Sequence, residues 1–252
     1  TAPQGRIEFR NVSFAYADGT QALSNVSFVL EPGESLALVG PSGAGKSTIA
    51  DLVLRFYDPT SGEILFDGVD YRQLKIAWLR DQFGVVPQQT FLFAGTIEEN
   101  LKLGNPDATP EIIGDACRMA NAQGFIDQSP DGLRTELGER GVRLSGGELQ
   151  RLAIARALVS EPKVLILDEA TSNLDAMSEK LVTEALDKVM HERTTLFIAH
   201  RLTTAARATR ILVLRRGEVL ELGSHEELMQ KNDVYAGMVR AFSGGVLDDG
   251  LG

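Results

Sequence analysis

The sequence has a single cysteine, Cys117. It cannot close an intrachain disulfide, and one thiol cannot build a cysteine-based metal cluster. It reads as a small buried apolar residue in a chain suited to a reducing compartment. Histidine is scarce too: His191, His200 and His225 stand too far apart in sequence to suggest a metal site. No run approaches the roughly 18 apolar residues of a membrane-crossing helix. The N-terminal TAPQGRIEFR lacks a starting Met, does not look like a secretion signal, and enters a strand almost at once. The chain is therefore expected to be part of a longer polypeptide, with targeting information in the remainder. Positive charge is in deficit, 25 Lys and Arg against 35 Asp and Glu, for a formal net charge of -10. That weighs against a nucleic-acid partner, which selects for a basic face.

The 252 residues, 43% apolar and 24% charged, suit a globular protein with a well-buried core. No internal repeat is visible. Ile7 and Phe9 alternate with polar neighbours. Val12, Phe14 and Tyr16 resume the alternation one residue out of step, which predicts a bulge at Asn11. Val26, Phe28 and Leu30 continue the strand pattern up to the turn EPGE. SLALV, residues 35 to 39, is short and continuously apolar, as expected of a strand buried on both faces.

KSTIADLVLRFYD predicts a helix running up to Pro59, and EILFDG a strand and turn. FGVVPQ predicts a strand ending at Gln88 and broken by Pro87. From about residue 89 to 161 the strand signal fades and helical segments dominate, among them EIIGDACRMAN and GELQRLAIARALVS, the latter ended by Pro162. VLILDE, TTLFIAH and RILVL are three further strands separated by helical stretches. This alternation implies an α/β fold with a mostly parallel sheet and helices on both faces. Ser224 and Glu227 predict a capping box opening a helix through SHEELMQ. The tail GGVLDDGLG is expected to lack fixed structure.

The chemistry begins with GPSGAGKST: Gly40, Pro41, Ser42, Gly43, Ala44, Gly45, Lys46, Ser47 and Thr48. It fits G-x-x-x-x-G-K-[ST] between a predicted strand and a predicted helix, the context the motif requires. Glycines let backbone N–H groups wrap phosphates, and the helix N-terminus adds partial positive charge. Lys46 can reach the β- and γ-phosphates, and the Ser47 hydroxyl can ligate Mg²⁺. VLILDE then delivers Asp168 and Glu169 to the C-terminal end of a strand, where open α/β sheets bind ligands. Asp168 can hold the Mg²⁺ shell and Glu169 can polarise an attacking water.

Tyr16, GPSGAGKST, VVPQQ, LSGGELQR, VLILDEATSNLD and IAHR occur in the order found in the nucleotide-binding domains of ABC transporters, which the chain resembles over about residues 6 to 240. The resemblance implies a P-loop NTPase, RecA-like core with an N-terminal antiparallel β-subdomain, over about 1–88 and 162–240. It further implies a helical subdomain inserted at about 89–161 and a flexible tail at 243–252. ATP and Mg²⁺ are the implied cofactors.

By the same resemblance Tyr16 stacks on adenine, although a core tyrosine also fits. Gln88 reaches Mg²⁺ and the attacking water while contacting a transmembrane partner, and an amide oxygen can serve both. His200 contacts the γ-phosphate. Asp175 communicates with the other nucleotide site, or serves as a plain helix cap. Ser145, Gly146, Gly147 and Glu148 cover an ATP held by the phosphate loop of a second, head-to-tail copy. GTIEENL and TELGERG resemble the exporter branch, as does GSHEEL, with TELGERG touching the intracellular ends of transmembrane helices.

The implied function is ATP hydrolysis that powers export, at the cytoplasmic face of a membrane and as part of an integral transporter. Glu148 stands where glutamine is more frequent and Asn173 where alanine is, and both alternatives occur in the family. A homodimer is expected, with a heterodimer left open. Two rivals remain at this level. Against a soluble ABC ATPase acting as a nucleotide switch without transport stand GTIEENL, GERG and the acidic charge. A small-molecule P-loop kinase would have no use for LSGGELQR.

Overall fold

The computed structural model describes residues 2–138, 142–168 and 174–243. Alternating buried and exposed side chains bring Ile7–Ala15 (β1) and Gln21–Leu30 (β2) into an antiparallel pair. The register slips between Phe9 and Val12, where Asn11 takes the left-handed conformation with φ 47°, so the expected bulge is present. Ser35–Val39 (β3) is buried at every position.

Lys46–Val53 (α1) follows the glycine loop. The helix is shorter than its sequence suggests. Arg55 turns to φ 53°, and its guanidinium donates to the carbonyls of Tyr71 (2.6 Å) and Leu74 (2.9 Å). These long-range bonds end the helical path well before Pro59. Ser61–Phe66 (β4) and Val69–Asp70 (β5) complete the first sheet, in the order β2-β1-β4-β5. Ile76–Arg80 (α2) leads to Phe83–Val86 (β6), which stops at the residue before Pro87 rather than at Gln88.

The middle of the chain is helical, as expected, apart from a two-residue ladder of Gly95–Thr96 (β7) with Glu136–Leu137 (β8). Between these strands lie Ile97–Lys102 (α3), Pro110–Met119 (α4) and Gln123–Gln128 (α5). Gly146–Val159 (α6) follows. Val164–Asp168 (β9) and Thr194–Ile198 (β10) flank Ala176–Glu192 (α7). Leu202–Ala205 (α8), Arg210–Arg215 (β11) and Glu218–Gly223 (β12) come next. His225–Lys231 (α9), opened by the expected Ser224–Glu227 capping box, and Val234–Ser243 (α10) close the described chain. Among the described residues no helix is long and apolar enough to cross a membrane. The tail beyond Ser243 lies outside the described residues.

The main sheet runs β12-β11-β3-β10-β9-β6, with β11, β3, β10, β9 and β6 parallel and β12 antiparallel at one edge. Its strand side chains divide by parity between two cores. Leu36, Leu38, Ile166, Leu196 and Ile198 join the first sheet and α1 on one face. Ala37, Val39, Leu167 and Phe197 meet α3, α4, α6 and α7 on the other. Because the strands are parallel, the carboxyl ends of β3, β10, β9 and β6 fall side by side on one edge of the sheet. The candidate site stands there.

Candidate nucleotide site

The phosphate loop links β3 to α1 through backbone conformations that demand glycine at two points. Gly40 crosses under β11, where a methyl group would meet the Leu214 carbonyl oxygen at 2.3 Å. Gly45 caps α1 from the left-handed region at φ 106°, and a methyl there would lie 2.7 Å from Leu23 Cδ2. Ala44 anchors the loop from behind: its N–H donates to Pro41 O (3.1 Å) and its carbonyl accepts from Gly217 N (3.0 Å). Pro41, Ser42 and Gly43 are exposed on the outer rim, and Ser47 is exposed at the mouth of the helix.

Lys46 is buried, and its ammonium donates to the Gly40 carbonyl and, at 3.2 Å, to that of Pro41. Desolvation holds its pKa below the ordinary lysine value, and the negative charge of Asp168 opposes that shift. A cation partly stripped of water and held inside an anion-sized loop is suited to a phosphate.

Tyr16 is half-buried beside the loop, and its hydroxyl shares a 3.0 Å hydrogen bond with Thr48 Oγ1. Its ring stands edge-on to Phe14 and Tyr57, with centroids 4.9 and 5.7 Å away. Tyr16 therefore packs as a partly buried tyrosine and also lines an open cavity of about 380 Å³, together with Ser42–Thr48 and His200. Thr20, Gln21 and Ala22 line it as well. Sequence reasoning missed these three, although the turn after Tyr16 was a signal that the chain folds back here.

Strand register brings the acidic and imidazole groups together. Ile198 of β10 pairs with Asp168 of β9, so His200, two residues on, reaches back to Asp168 with Nε2···Oδ1 3.0 Å. Gln88 is exposed just past the end of β6 and does not line the cavity. Glu169 lies outside the described residues, as does Asn173. Among the described residues no cluster of three or more His, Cys, Asp or Glu could hold a metal ion by itself. Ser47 and Asp168 are hard oxygen donors beside a phosphate loop, a set that fits a Mg²⁺ ion held chiefly by phosphates and water.

The LSGGELQR segment opens α6 elsewhere. Ser145 is its N-cap in a full capping box: Glu148 N donates to Ser145 Oγ (3.3 Å), and Ser145 N donates to Glu148 Oε2 (2.8 Å). Ser145 and Gly146 are exposed. None of Ser145, Gly146, Gly147 or Glu148 is among the described residues lining the phosphate-loop cavity of their own chain. Asp175 caps α7, accepting from Met177 N (3.1 Å) and Ser178 N (3.0 Å).

A second concavity, about 660 Å³, lies where β6 meets α3 and α6, lined by Val85, Pro87, Phe91, Phe93, Leu103 and Arg156 among others. Phe91 and Phe93 are 70% and 63% exposed, while their backbone is pinned. Buried Asn100 accepts from Phe93 N and donates to Phe93 O, both at 2.9 Å, and Arg156 donates to Phe91 O (3.0 Å).

The family model for the ABC transporter matches residues 23–172, more than half of the chain. The chain belongs to the ABC transporter family. It is 52% identical over 236 residues to ABC transporter B family member 13 of Arabidopsis thaliana, 93% of this chain and 19% of that protein. It is 53% identical over 240 residues to the mitochondrial potassium channel ATP-binding subunit of Rattus norvegicus, 94% of this chain and 34% of that one. It is 50% identical over 233 residues to the putative multidrug export ATP-binding/permease protein YgaD of Bacillus subtilis, 92% and 40%. Among solved structures, a bacterial Atm1-family ABC exporter with ATP bound superposes with TM-score 0.87 at 43% identity, covering 96% of this chain and 43% of that one. The ABC domain thus spans less than half the length of each of these relatives.

Proposed function

We propose that this ABC domain is the ATP-hydrolysing engine of an exporter, working as a head-to-tail pair beneath a transmembrane domain at the cytoplasmic face of a membrane. The observation that carries the reading is the cavity in which the phosphate loop, Tyr16 and His200 converge, with His200 tied to Asp168. In this reading the loop N–H groups of Gly40–Thr48 and the Lys46 ammonium hold the phosphates, and the Tyr16 face receives the adenine. Ser47 and Asp168, joined by Gln88 of the segment after β6, would hold Mg²⁺, which would neutralise charge on the transferring phosphoryl group. Glu169 polarises the water, and His200, oriented by Asp168, meets the γ-phosphate.

Ser145 and the N–H groups of Gly146 and Gly147 act on the partner's ATP, with Glu148 holding Ser145 in its cap. ATP binding then closes the pair, and hydrolysis with product release opens it. The exposed Phe91 and Phe93 above a pinned backbone favour the exporter over a free-standing nucleotide switch, because they offer an apolar groove to a membrane-domain segment. Relatives named as an exporter and an export permease agree with that choice. The acidic balance of the chain speaks against nucleic acid.

Glu169→Gln tests the reading. The variant should bind ATP, lose nearly all hydrolysis, and accumulate as an ATP-bound dimer in size-exclusion chromatography with Mg-ATP. A monomer with wild-type turnover would refute it.

A further inference from the structure

The first turn of α7 faces two neighbours at once. On one side it abuts the start of α6: a methyl group at Gly147 would lie 2.6 Å from Ser178 Cβ, and one at Gly146 would lie 3.1 Å from Cδ2 of Leu174, just ahead of that turn. Close-packed contacts without slack transmit displacement. Asn121 binds the same two helices again. Its amide donates to Leu181 O of α7 (3.0 Å), and its side-chain oxygen accepts from Lys188 of α7 (2.8 Å). Its backbone carbonyl accepts from Arg151 of α6 (2.8 Å), which in turn donates to Gly147 O (3.2 Å). The start of α6 and α7 as far as Lys188 thus form one body.

On its other side α7 carries Glu179, which accepts a hydrogen bond from the guanidinium of Arg201. Arg201 directly follows His200, whose ring bonds Asp168. The Arg201 and Glu179 side chains are 41% and 39% exposed, so the pair contributes little to stability. What it supplies is a fixed tie between the loop bearing His200 and the body bearing Ser145.

We propose that Glu179 and Arg201 are positioning residues that couple the two nucleotide sites of the pair. A shift of the His200 loop at a chain's own ATP moves α7, and α7 moves the Ser145 segment that this chain lends to its partner's ATP. The proposal rests on the head-to-tail reading above and adds to it the route within one chain.

The test mixes two forms of the 252-residue chain. Ser145→Arg chains and Glu169→Gln chains, combined one to one, form mixed dimers with one intact site. That site takes its loop, Asp168, Glu169 and His200 from the first chain and its Ser145 from the second. Turnover should recover towards roughly a quarter of wild type, the ceiling set by random pairing, in which half of the dimers are mixed and each has one working site; Glu169→Gln homodimers that trap ATP lower the value.

Arg201→Glu is then added to the Glu169→Gln chain only. The rescued turnover should fall about three- to fivefold, although this chain lends the intact site nothing but its Ser145 segment. Glu179→Arg in the same chain should act alike, and the two together, which restore the pair with charges exchanged, should recover the rescue. ATP binding and the thermal midpoint of each variant chain should stay at parental values. Unchanged rescue overturns the coupling and leaves the head-to-tail reading standing, and so does a loss that the exchanged pair fails to restore. Absence of rescue in the parental mixture overturns the head-to-tail reading and the coupling with it.

Discussion

Gly147 and Ser178 stand so close that Gly147 has no room for a methyl group: an added Cβ would lie 2.6 Å from that of Ser178. Glycine inside a helix ordinarily costs about 1 kcal/mol relative to alanine. Gly147→Ala should therefore stabilise α6 if only propensity mattered. The contact predicts the reverse, a loss of about 1–3 kcal/mol from overpacking. Adding Ser178→Gly should recover part of it, less the cost of the new helix glycine. Thermal melts of the single and double variants decide this, and a Gly147→Ala chain melting above wild type would sink it.

That contact also marks what the sequence could and could not say. The glycine pair was legible as a backbone made to approach an anion, but the second reason for Gly147, the abutting Ser178, comes from a helix about 30 residues on. The parallel sheet was readable because Leu36–Val39, Val164–Leu167 and Leu196–Ile198 are apolar on both faces, and two cores claim alternate residues. The phosphate loop was readable because its spacing is local. The end of α1 was not, since Arg55 is turned by carbonyls of Tyr71 and Leu74. Nor was the His200–Asp168 bond, which depends on the register pairing Ile198 with Asp168. Propensity and spacing reach a few residues, whereas register and helix docking are decided across the fold.

Lys46→Met separates binding from folding. The ammonium is buried and its pKa is lowered, chiefly by desolvation, so the fold disfavours its charged form. Removing the charge should leave the thermal midpoint unchanged or raise it. Nucleotide affinity should fall about ten- to hundredfold with the loss of charge-assisted bonds to phosphate. The sign with pH follows. Wild type gains stability as pH rises through the lowered lysine pKa towards the unfolded value of 10.5, and the Met variant lacks that rise. Calorimetry with ATP, together with melts across alkaline pH, checks both halves. Wild-type affinity in the variant would remove Lys46 from the site.

His200→Ala should lower turnover about a hundredfold or more, the usual loss when one preorganised donor to developing charge is removed. ATP affinity should stay nearly constant, because the loop and Lys46 supply most of the ground-state binding. Single-turnover hydrolysis beside equilibrium binding measures the two separately. Equal loss in both would make His200 a binding residue, and no loss in either would leave its bond to Asp168 purely structural.

On β1 of the first sheet, Glu8 provides a stability test at acid pH. Hydrogen bonds from Arg10 and then Arg6 draw its pKa down from 4.5 to about 2. A lowered carboxylate pKa gives stability that is complete above the unfolded value and fades as pH falls towards the folded one. Wild type should therefore lose stability between those two values, and Glu8→Gln should lose less over the same interval. Added salt should shrink the difference, because both arginines are partly exposed. Urea unfolding across the acid range reads the slopes, and parallel slopes at low salt would rule the arginine pairs out as its cause.

Phe91 and Phe93 are held outward by bonds to their own backbone, so the rings can change without loosening the loop. Asn100 holds Phe93 by its main chain and also donates to the Thr96 carbonyl, and Arg156 holds Phe91 by its main chain. Phe91→Ser with Phe93→Ser should leave the melting temperature and the ATPase rate of the ABC domain close to wild type. The groove of about 660 Å³ would meanwhile lose its two most exposed apolar walls. Each aromatic ring is worth about 1.5–3 kcal/mol when it passes from water into an apolar contact. Joined to a transmembrane domain, the double variant should still hydrolyse ATP, but transport and any stimulation of turnover by cargo should fall at least tenfold. Asn100→Ala is the contrasting case: it should loosen the loop backbone and lower stability as well. Full transport by the serine variant would show that the groove is not where the membrane domain docks.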